Sequence, residues 1–224
     1  MTAAGGQDYN DFVHVGPGTL AAEYLRHFWH PVFRGEDLAA GRAMPLRILG
    51  EDFTLYRGAG GQAHAVAYRC AHRGTQLSTG WVEDDAIRCF YHGWKYDGTG
   101  QCVEQPAEEA GFAAKVRIRA YPTQEYLGVI FVYFGEGTAP DLPRYPEFED
   151  ESQGVREAYT YSWPCSYFNS LENDAFHGLW VHRESYLASG RTGIPIVECE
   201  ETAYGYVTRA RRPGATHWAE SQSH

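Results

Sequence analysis

The sequence predicts an α+β protein in which a small all-β domain comes before a region that mixes helix and strand. Two observations carry this prediction. Between residues 41 and 137, short apolar runs rich in β-branched and aromatic residues alternate with glycine turns, a pattern typical of an all-β domain. Further along, a helical pattern over 166–176 is followed by strand patterns over 194–200 and 204–211.

The first predicted element is a short amphipathic helix. Thr19 is a suitable N-cap, and Leu20, Tyr24 and Phe28 share one face of the helix that follows. Pro31 is expected to end this helix, because proline lacks the backbone N–H that a helix interior requires.

Seven strands are predicted next, and they are separated by turns such as GAGG and DGTG. They cover residues 46–49, 53–57, 63–69, 86–89, 94–97, 101–104 and 129–134. Three prolines and an acidic patch then indicate a linker. The predicted organisation is a helical lead-in over 1–40, an all-β domain over 41–137, a linker over 138–157 and the start of a second domain over 158–224.

Composition restricts the class of partner. The chain has 224 residues, 43% of them hydrophobic, and a formal net charge of −10. An acidic surface repels phosphate backbones, so nucleic acid is not an expected partner. The N-terminus lacks the basic and apolar regions of a signal peptide, and no run approaches the length of a membrane span. We therefore expect a cytoplasmic protein.

The cysteine pattern argues against a disulfide framework. The chain has five cysteines, an odd number, and they are widely spread. Two of them stand beside histidines at ligand spacing. Cys70 and His72 lie in the run CAHRG, and Cys89 and His92 lie in the run CFYHGW. Two thiolates and two imidazoles form the ligand set of a Rieske-type [2Fe–2S] cluster, in which two histidines replace two cysteines on one iron.

Two alternatives to the cluster are compatible with these ligand types. A structural zinc site uses the same ligand types, but zinc hairpins favour a pair of cysteines followed by a pair of histidines, and here each pair contains one of each. Four unrelated residues are the other alternative. Gly74 and Gly93, which follow the two histidines, favour matched cluster loops, because glycine would let backbone N–H groups approach the cluster sulfurs.

A second constellation lies in the run SLENDAFHGLWVHRES. Asp174 and His177 are three residues apart and share one helix face. His177 and His182 are five apart, which rotates them by about 140° on a regular helix. They can meet at one metal only if the helix ends between them, and Gly178 suits such a break. Two histidines and a carboxylate are the facial triad of non-haem Fe(II) oxygenases, although such histidines alone are more often surface or capping residues.

The runs CAHRG and CFYHGW resemble the Rieske loops of ring-hydroxylating oxygenases. Respiratory Rieske proteins carry an additional cysteine in each loop, and Thr75 and Tyr91 stand at those positions here, so that disulfide cannot form. Trp94 replaces a serine that raises the reduction potential in the respiratory proteins. The resemblance therefore implies a cluster of low potential, because fewer hydrogen bonds reach it.

The resemblance extends over nearly the whole chain. VGPGTLAAEYLRHFWHPV and LRILGEDFTLYR are similar to segments of single-component α-subunits of the phthalate 4,5-dioxygenase type. It implies a Rieske domain followed by the first part of a helix-grip (START-like) catalytic domain. The implied activity is hydroxylation or O-demethylation of an aromatic or related substrate with O₂. A flavin and iron–sulfur reductase would supply electrons from NAD(P)H, and the subunits would form a homotrimer or a multiple of it.

The resemblance also implies roles for the second constellation. His177 and His182 would bind a mononuclear Fe(II), and Asp174 would bridge to His92 of a neighbouring subunit for electron transfer. One departure is that Glu172 and Asn173 directly precede Asp174, whereas relatives often have two more residues there.

The larger departure concerns the third iron ligand, a downstream carboxylate that nothing in this chain matches. Glu198, Glu200 and Glu201 are available, but none corresponds to the family ligand. The sequence therefore leaves an N-terminal fragment of an oxygenase as the first interpretation. A Rieske-type electron-transfer module and a truncated, non-catalytic oxygenase remnant are the alternatives.

Overall fold

The computed structural model describes residues 13–154, 157–161, 163–172, 184, 188, 195–202, 205–211, 214, 216 and 219–223. The chain divides into two units, Met1–Ser162 and Trp163–His224. Each unit is described by itself. The α+β class predicted from the sequence is confirmed, because the described residues form mostly antiparallel strands with a few short helices.

The first unit is built from eleven strands and two short α-helices among its described residues. The helices are α1 (Leu20–Leu25) and α2 (Pro146–Glu149). The strands are β1 (Trp29–Arg34), β2 (Ala43–Ile48), β3 (Glu51–Arg57), β4 (Ala63–Ala67), β5 (Trp81–Glu83), β6 (Ala86–Arg88), β7 (Lys95–Asp97), β8 (Cys102–Glu104), β9 (Ala120–Tyr121), β10 (Thr123–Tyr126) and β11 (Val129–Tyr133). Single 3-10 turns lie at Gly35–Asp37, Leu77–Thr79, Ala113–Lys115 and Glu151–Gln153.

These strands form three antiparallel sheets. Their orders are β1-β11-β10, β2-β3-β4-β9 and β5-β6-β7-β8. All seven strands predicted between residues 46 and 134 are present, with ends that differ by a few residues. Four strands were not predicted from the sequence: β1, β5, β9 and β10. The last three contain only two to four residues each, too few for a periodic pattern to be recognised.

The prediction that Pro31 ends the first helix was wrong. Thr19 does cap α1, since its side chain accepts a hydrogen bond from the backbone N–H of Ala22. The helix ends at Leu25, and two turn bonds then carry the chain into β1. Pro31 lies within β1, at the edge of its sheet, where a residue without a backbone N–H is tolerated.

Two hydrophobic cores lie on opposite sides of β3. Phe53 and Leu55 point into a core shared with β1, β4 and β11, whereas Tyr56 points into a second core that contains Cys70 and Cys89. Alternate residues of a strand face opposite sides, so β3 couples the two cores directly. The second core lies under the sheet β5-β6-β7-β8, whose β6–β7 connection carries Cys89 and His92.

The second unit contains α3 (Tyr167–Glu172) and an antiparallel sheet of β12 (Ile196–Thr202), β13 (Gly205–Arg211) and β14 (Ala219–Ser223). The helix predicted over 166–176 is observed in its first part, and the remainder lies outside the described residues. Val207 and Thr208 of β13 are buried. Within the described part of the chain, no helix is long and apolar enough to span a membrane.

Replacing Leu55 with alanine tests the core on one side of β3. The Leu55 side chain is fully buried, so Leu55→Ala should lower the free energy of unfolding by about 2–5 kcal/mol in a urea titration followed by tryptophan fluorescence. Leu20→Ala is the matched control. Leu20 is 68% exposed, and we expect a change within about 0.5 kcal/mol. Equal losses in the two variants would contradict the described core.

Candidate iron–sulfur site

Cys70 and Cys89 begin two loops with the same pattern of backbone hydrogen bonds. The Cys70 N–H donates to the Thr75 carbonyl at 2.8 Å, and the Cys89 N–H donates to the Trp94 carbonyl at 2.8 Å. In each loop the acceptor is the fifth residue after the cysteine. The histidine is the second residue after the cysteine in one loop and the third in the other. Because of this difference in spacing, the common hydrogen-bond pattern of the two loops cannot be recognised from the sequence.

Gly74 and Gly93 occupy the fourth position after each cysteine. Their φ angles are +71° and +74°, in the left-handed region that glycine adopts without steric cost. Their N–H groups donate at 3.0 Å to the carbonyls of Cys70 and Cys89. These two N–H groups therefore close the loops on the carbonyls of the cysteines.

The two thiols lie together in the interior. Cys70 and Cys89 are buried, and their side chains are within hydrogen-bonding reach of each other. Burial raises the pKa of the Cys70 thiol, while hydrogen bonds from the Tyr96 hydroxyl and the backbone N–H of His72 act in the opposite direction. A bound metal would supply the positive charge that keeps such buried sulfurs deprotonated.

Tyr96 is a site residue that the sequence analysis missed. Its hydroxyl oxygen lies 3.3 Å from the Cys70 Sγ and accepts a hydrogen bond from the Ala71 N–H at 3.2 Å. Burial raises the pKa of Tyr96, so the hydroxyl keeps its proton. Because the oxygen already accepts from Ala71, the proton is available for donation to the sulfur. The only sequence signal was its position two residues after Trp94, inside a predicted strand.

The two imidazoles lie side by side but in different environments. The ring centroids of His72 and His92 are 4.6 Å apart. His72 is half-buried and stacks on Trp94 at 4.6 Å with an interplanar angle of 9°. His92 is exposed, and the ring of Tyr91 lies 3.8 Å from it. One imidazole is therefore shielded by an indole, and the other faces solvent.

The arrangement fits a Rieske-type cluster. Thiols pair with thiols and imidazoles with imidazoles, as expected when two cysteines hold one iron and two histidines hold the other. The Nδ1 atom of His72 is buried and has no hydrogen-bond partner among the described residues. A buried ring nitrogen that lacks a partner is costly unless a ligand satisfies it, and a metal ion is such a ligand.

The remaining cysteines stand apart from this pair. All five cysteines are free thiols in this structure. Cys102 is buried in the same core, where its thiol donates to the Glu104 carbonyl and burial raises its pKa. Cys165 and Cys199 are exposed. Asp174, His177 and His182 of the second constellation lie outside the described residues, as does Asn173.

Residues 28–126 match the family model of the Rieske [2Fe-2S] domain. The chain is 36% identical to the 5,5'-dehydrodivanillate O-demethylase oxygenase subunit of Sphingobium sp., over 83% of this chain and 46% of that protein. It is 39% identical to the 3-chlorobenzoate-3,4-dioxygenase oxygenase subunit of Comamonas testosteroni, over 92% of this chain and 51% of that protein.

The resemblance predicted from sequence is also found. The chain is 29% identical to the phthalate 4,5-dioxygenase oxygenase subunit of Pseudomonas putida, over 85% of this chain and 48% of that protein. Among solved structures, dicamba monooxygenase bound to dicamba matches with a TM-score of 0.72 and 25% identity, over 86% of this chain and 58% of that one.

The chain thus spans about half the length of the curated relatives that it matches. Its Rieske domain accounts for both cysteine–histidine loops. The matches extend beyond that domain, and these relatives are oxygenase subunits, so the chain carries a Rieske [2Fe-2S] domain and is similar over most of its own length to the oxygenase subunits of Rieske-type enzymes.

Proposed function

We propose that this chain acts in the terminal oxygenase component of a Rieske non-haem iron system. The observation that carries the proposal is the pair of matched loops, which place two buried thiols beside one shielded and one exposed imidazole. A site with one ligand at the surface suits electron transfer to and from partners. The curated relatives, which are oxygenase subunits, indicate the class of reaction.

Cys70 and Cys89 would hold one iron of the cluster, and His72 and His92 would hold the other. When bound, the [2Fe–2S] cluster accepts and releases one electron at a time. Tyr96 donates a hydrogen bond to the Cys70 sulfur, which favours the more negative, reduced state.

The two imidazoles have different surroundings, which suggests different roles in electron transfer. Trp94 stacks on one face of the His72 ring, which is half-buried, whereas His92 is left at the surface. We therefore propose that electrons leave through the His92 side, toward a mononuclear Fe(II) held by His177 and His182. Asp174 of a neighbouring subunit would face His92.

The proposed system has several further partners. A flavin and iron–sulfur reductase would pass electrons from NAD(P)H, and a head-to-tail ring of three subunits, or a multiple of it, would bring Asp174 to His92. The relatives include an O-demethylase and dioxygenases. The proposed reaction is accordingly hydroxylation or O-demethylation of an aromatic or related small molecule with O₂.

A Rieske-type electron-transfer module is the second candidate, because residues 28–126 contain a complete set of cluster ligands.

Removing the Tyr96 hydroxyl should lower the midpoint potential of the cluster. Tyr96→Phe keeps the ring in the core but deletes the donor to the Cys70 sulfur, and hydrogen bonds to cluster sulfurs raise the potential. The measurement is a redox titration followed by visible circular dichroism. Tyr91→Phe is the control, because the exposed Tyr91 has no recorded hydrogen bond in the described part of the chain. A potential for Tyr96→Phe equal to that of the control would contradict the assigned donor.

Iron content separates the oxygenase from the electron carrier. We expect about three irons per chain for the oxygenase and about two for the carrier or a truncated remnant. The measurement is metal analysis with EPR, on this chain and on a version extended through the downstream reading frame. In the extended version, His177→Ala and His182→Ala should each reduce the iron from about three to about two and leave the Rieske EPR signal unchanged. His27→Ala, at an exposed histidine outside both constellations, should keep all of the iron. Two irons in every sample would exclude the oxygenase.

Asp174→Asn tests the electron-transfer bridge. In the extended version, this variant should keep both metals but lose substrate-coupled reoxidation of the cluster, because the amide lacks the charge of the carboxylate that faces His92. The measurement is single-turnover product formation with the cluster reduced beforehand. A normal product yield would refute the bridging role.

A further inference from the structure

An arginine directly precedes each cysteine ligand, and the two arginines make the same contact. The Arg69 Nη1 donates to the Gly74 carbonyl at 2.7 Å, and the Arg88 Nη1 donates to the Gly93 carbonyl at 2.7 Å. Each bond joins the residue before the cysteine to the glycine that ends the loop. The side chain therefore spans the base of the loop in which the histidine ligand lies.

We propose that Arg69 and Arg88 are positioning residues that act as clasps for the two cluster loops. The backbone bonds of each loop define its turn, and the guanidinium adds a charge-assisted hydrogen bond between the glycine of the turn and the arginine that precedes the turn. Closure at this point restrains the histidine between the two ends of the loop. The inference requires the cluster of the Rieske domain but does not depend on the proposed oxygenase activity.

The clasp of the second loop is held in an ionic network. The Arg88 Nε and Nη2 donate to the two carboxylate oxygens of Glu83 at 2.8 Å each, and Nη2 also donates to Glu104 at 2.7 Å. Lys95 lies 3.3 Å from Glu83. Hydrogen bonds from Arg88, and then from Lys95, lower the pKa of Glu83 to about 2, so this carboxylate remains charged. The Arg88 side chain is only 16% exposed.

The clasp of the first loop is simpler. Arg69 is exposed, and its guanidinium lies 5.3 Å from the ring centroid of Tyr68. No carboxylate partner is recorded for it in the described ranges. The carbonyl of Gly74 is therefore its principal polar contact. A substitution of Arg69 consequently removes the contact with the loop without breaking an ionic network.

Arg73 provides a matched control in the same loop. It lies between His72 and Gly74, is exposed, and has no recorded hydrogen bond or ion pair within the part of the chain that is described. Arg69→Gln and Arg73→Gln remove the same charge from the same loop, but only the first removes the clasp. The two variants therefore separate loop closure from a general effect of charge near the cluster.

The experiment follows cluster release and cluster geometry in the full chain. In the presence of an iron chelator, the visible absorbance of Arg69→Gln should bleach roughly tenfold faster than that of the parent, as expected for loss of one charged hydrogen bond. Its EPR g-values should shift, because the histidine is no longer restrained. Arg73→Gln should match the parent in both measurements, and Arg69→Lys, which keeps a charged donor, should recover part of the loss. Equal bleaching rates and g-values in the two glutamine variants would overturn the proposal.

A second set of variants tests the other loop. Arg88→Gln also frees Glu83 and Glu104, so it could prevent folding. Arg88→Lys keeps the charge but cannot hold Glu83 with two bonds and Gly93 at the same time. It should bleach faster than Lys95→Gln, which removes the other partner of Glu83 without touching the loop carbonyl. Bleaching of Arg88→Lys at the rate of Lys95→Gln would overturn the role of Arg88.

Discussion

The burial of two thiols at one point, brought there by separate loops, is the constraint on which the rest of this structure depends. Cys70 and Cys89 are nineteen positions apart in the chain yet share one core. Each begins a turn with the same backbone hydrogen bonds and ends it at a glycine in the left-handed region. Because buried sulfurs are stable as thiolates only beside positive charge, this geometry is suited to a metal cluster and poorly suited to an empty core.

The surroundings of the candidate ligands leave only one side of the site exposed to solvent. Trp94 stacks on His72, and the aromatic side chain of Tyr96 lies against Cys70, so three of the four ligands are covered by protein. His92 is the ligand left at the surface. Trp94 thus shields one imidazole and leaves the other exposed. The proposed electron path through His92 follows from this difference.

The two cores explain why a site of this kind holds its shape. Strand β3 contributes Phe53 and Leu55 to one core and Tyr56 to the core beneath the cluster loops. The three-strand sheet that contains β1 packs on the core that β3 shares, and β3 connects it to the core beneath the loops. Residues 41–137 were predicted as the all-β domain, but β1, at residues 29–34, pairs with β11 and contributes to the same unit. Its pairing was hidden because Pro31 interrupts the apolar pattern and its partner lies a hundred residues away in the chain.

The sequence by itself determined the fold class, the class of cluster and most strands, and it predicted the four candidate ligands, because residue identity and short-range alternation are local properties. It also predicted the second constellation at Asp174, His177 and His182, whose role remains a proposal. Only the tertiary structure decided which imidazole is exposed, that the glycine N–H groups close the loops, and that Tyr96 contacts Cys70. These features depend on which segments pack against each other. Residue spacing within one segment does not predict the contacts that it makes with a distant segment.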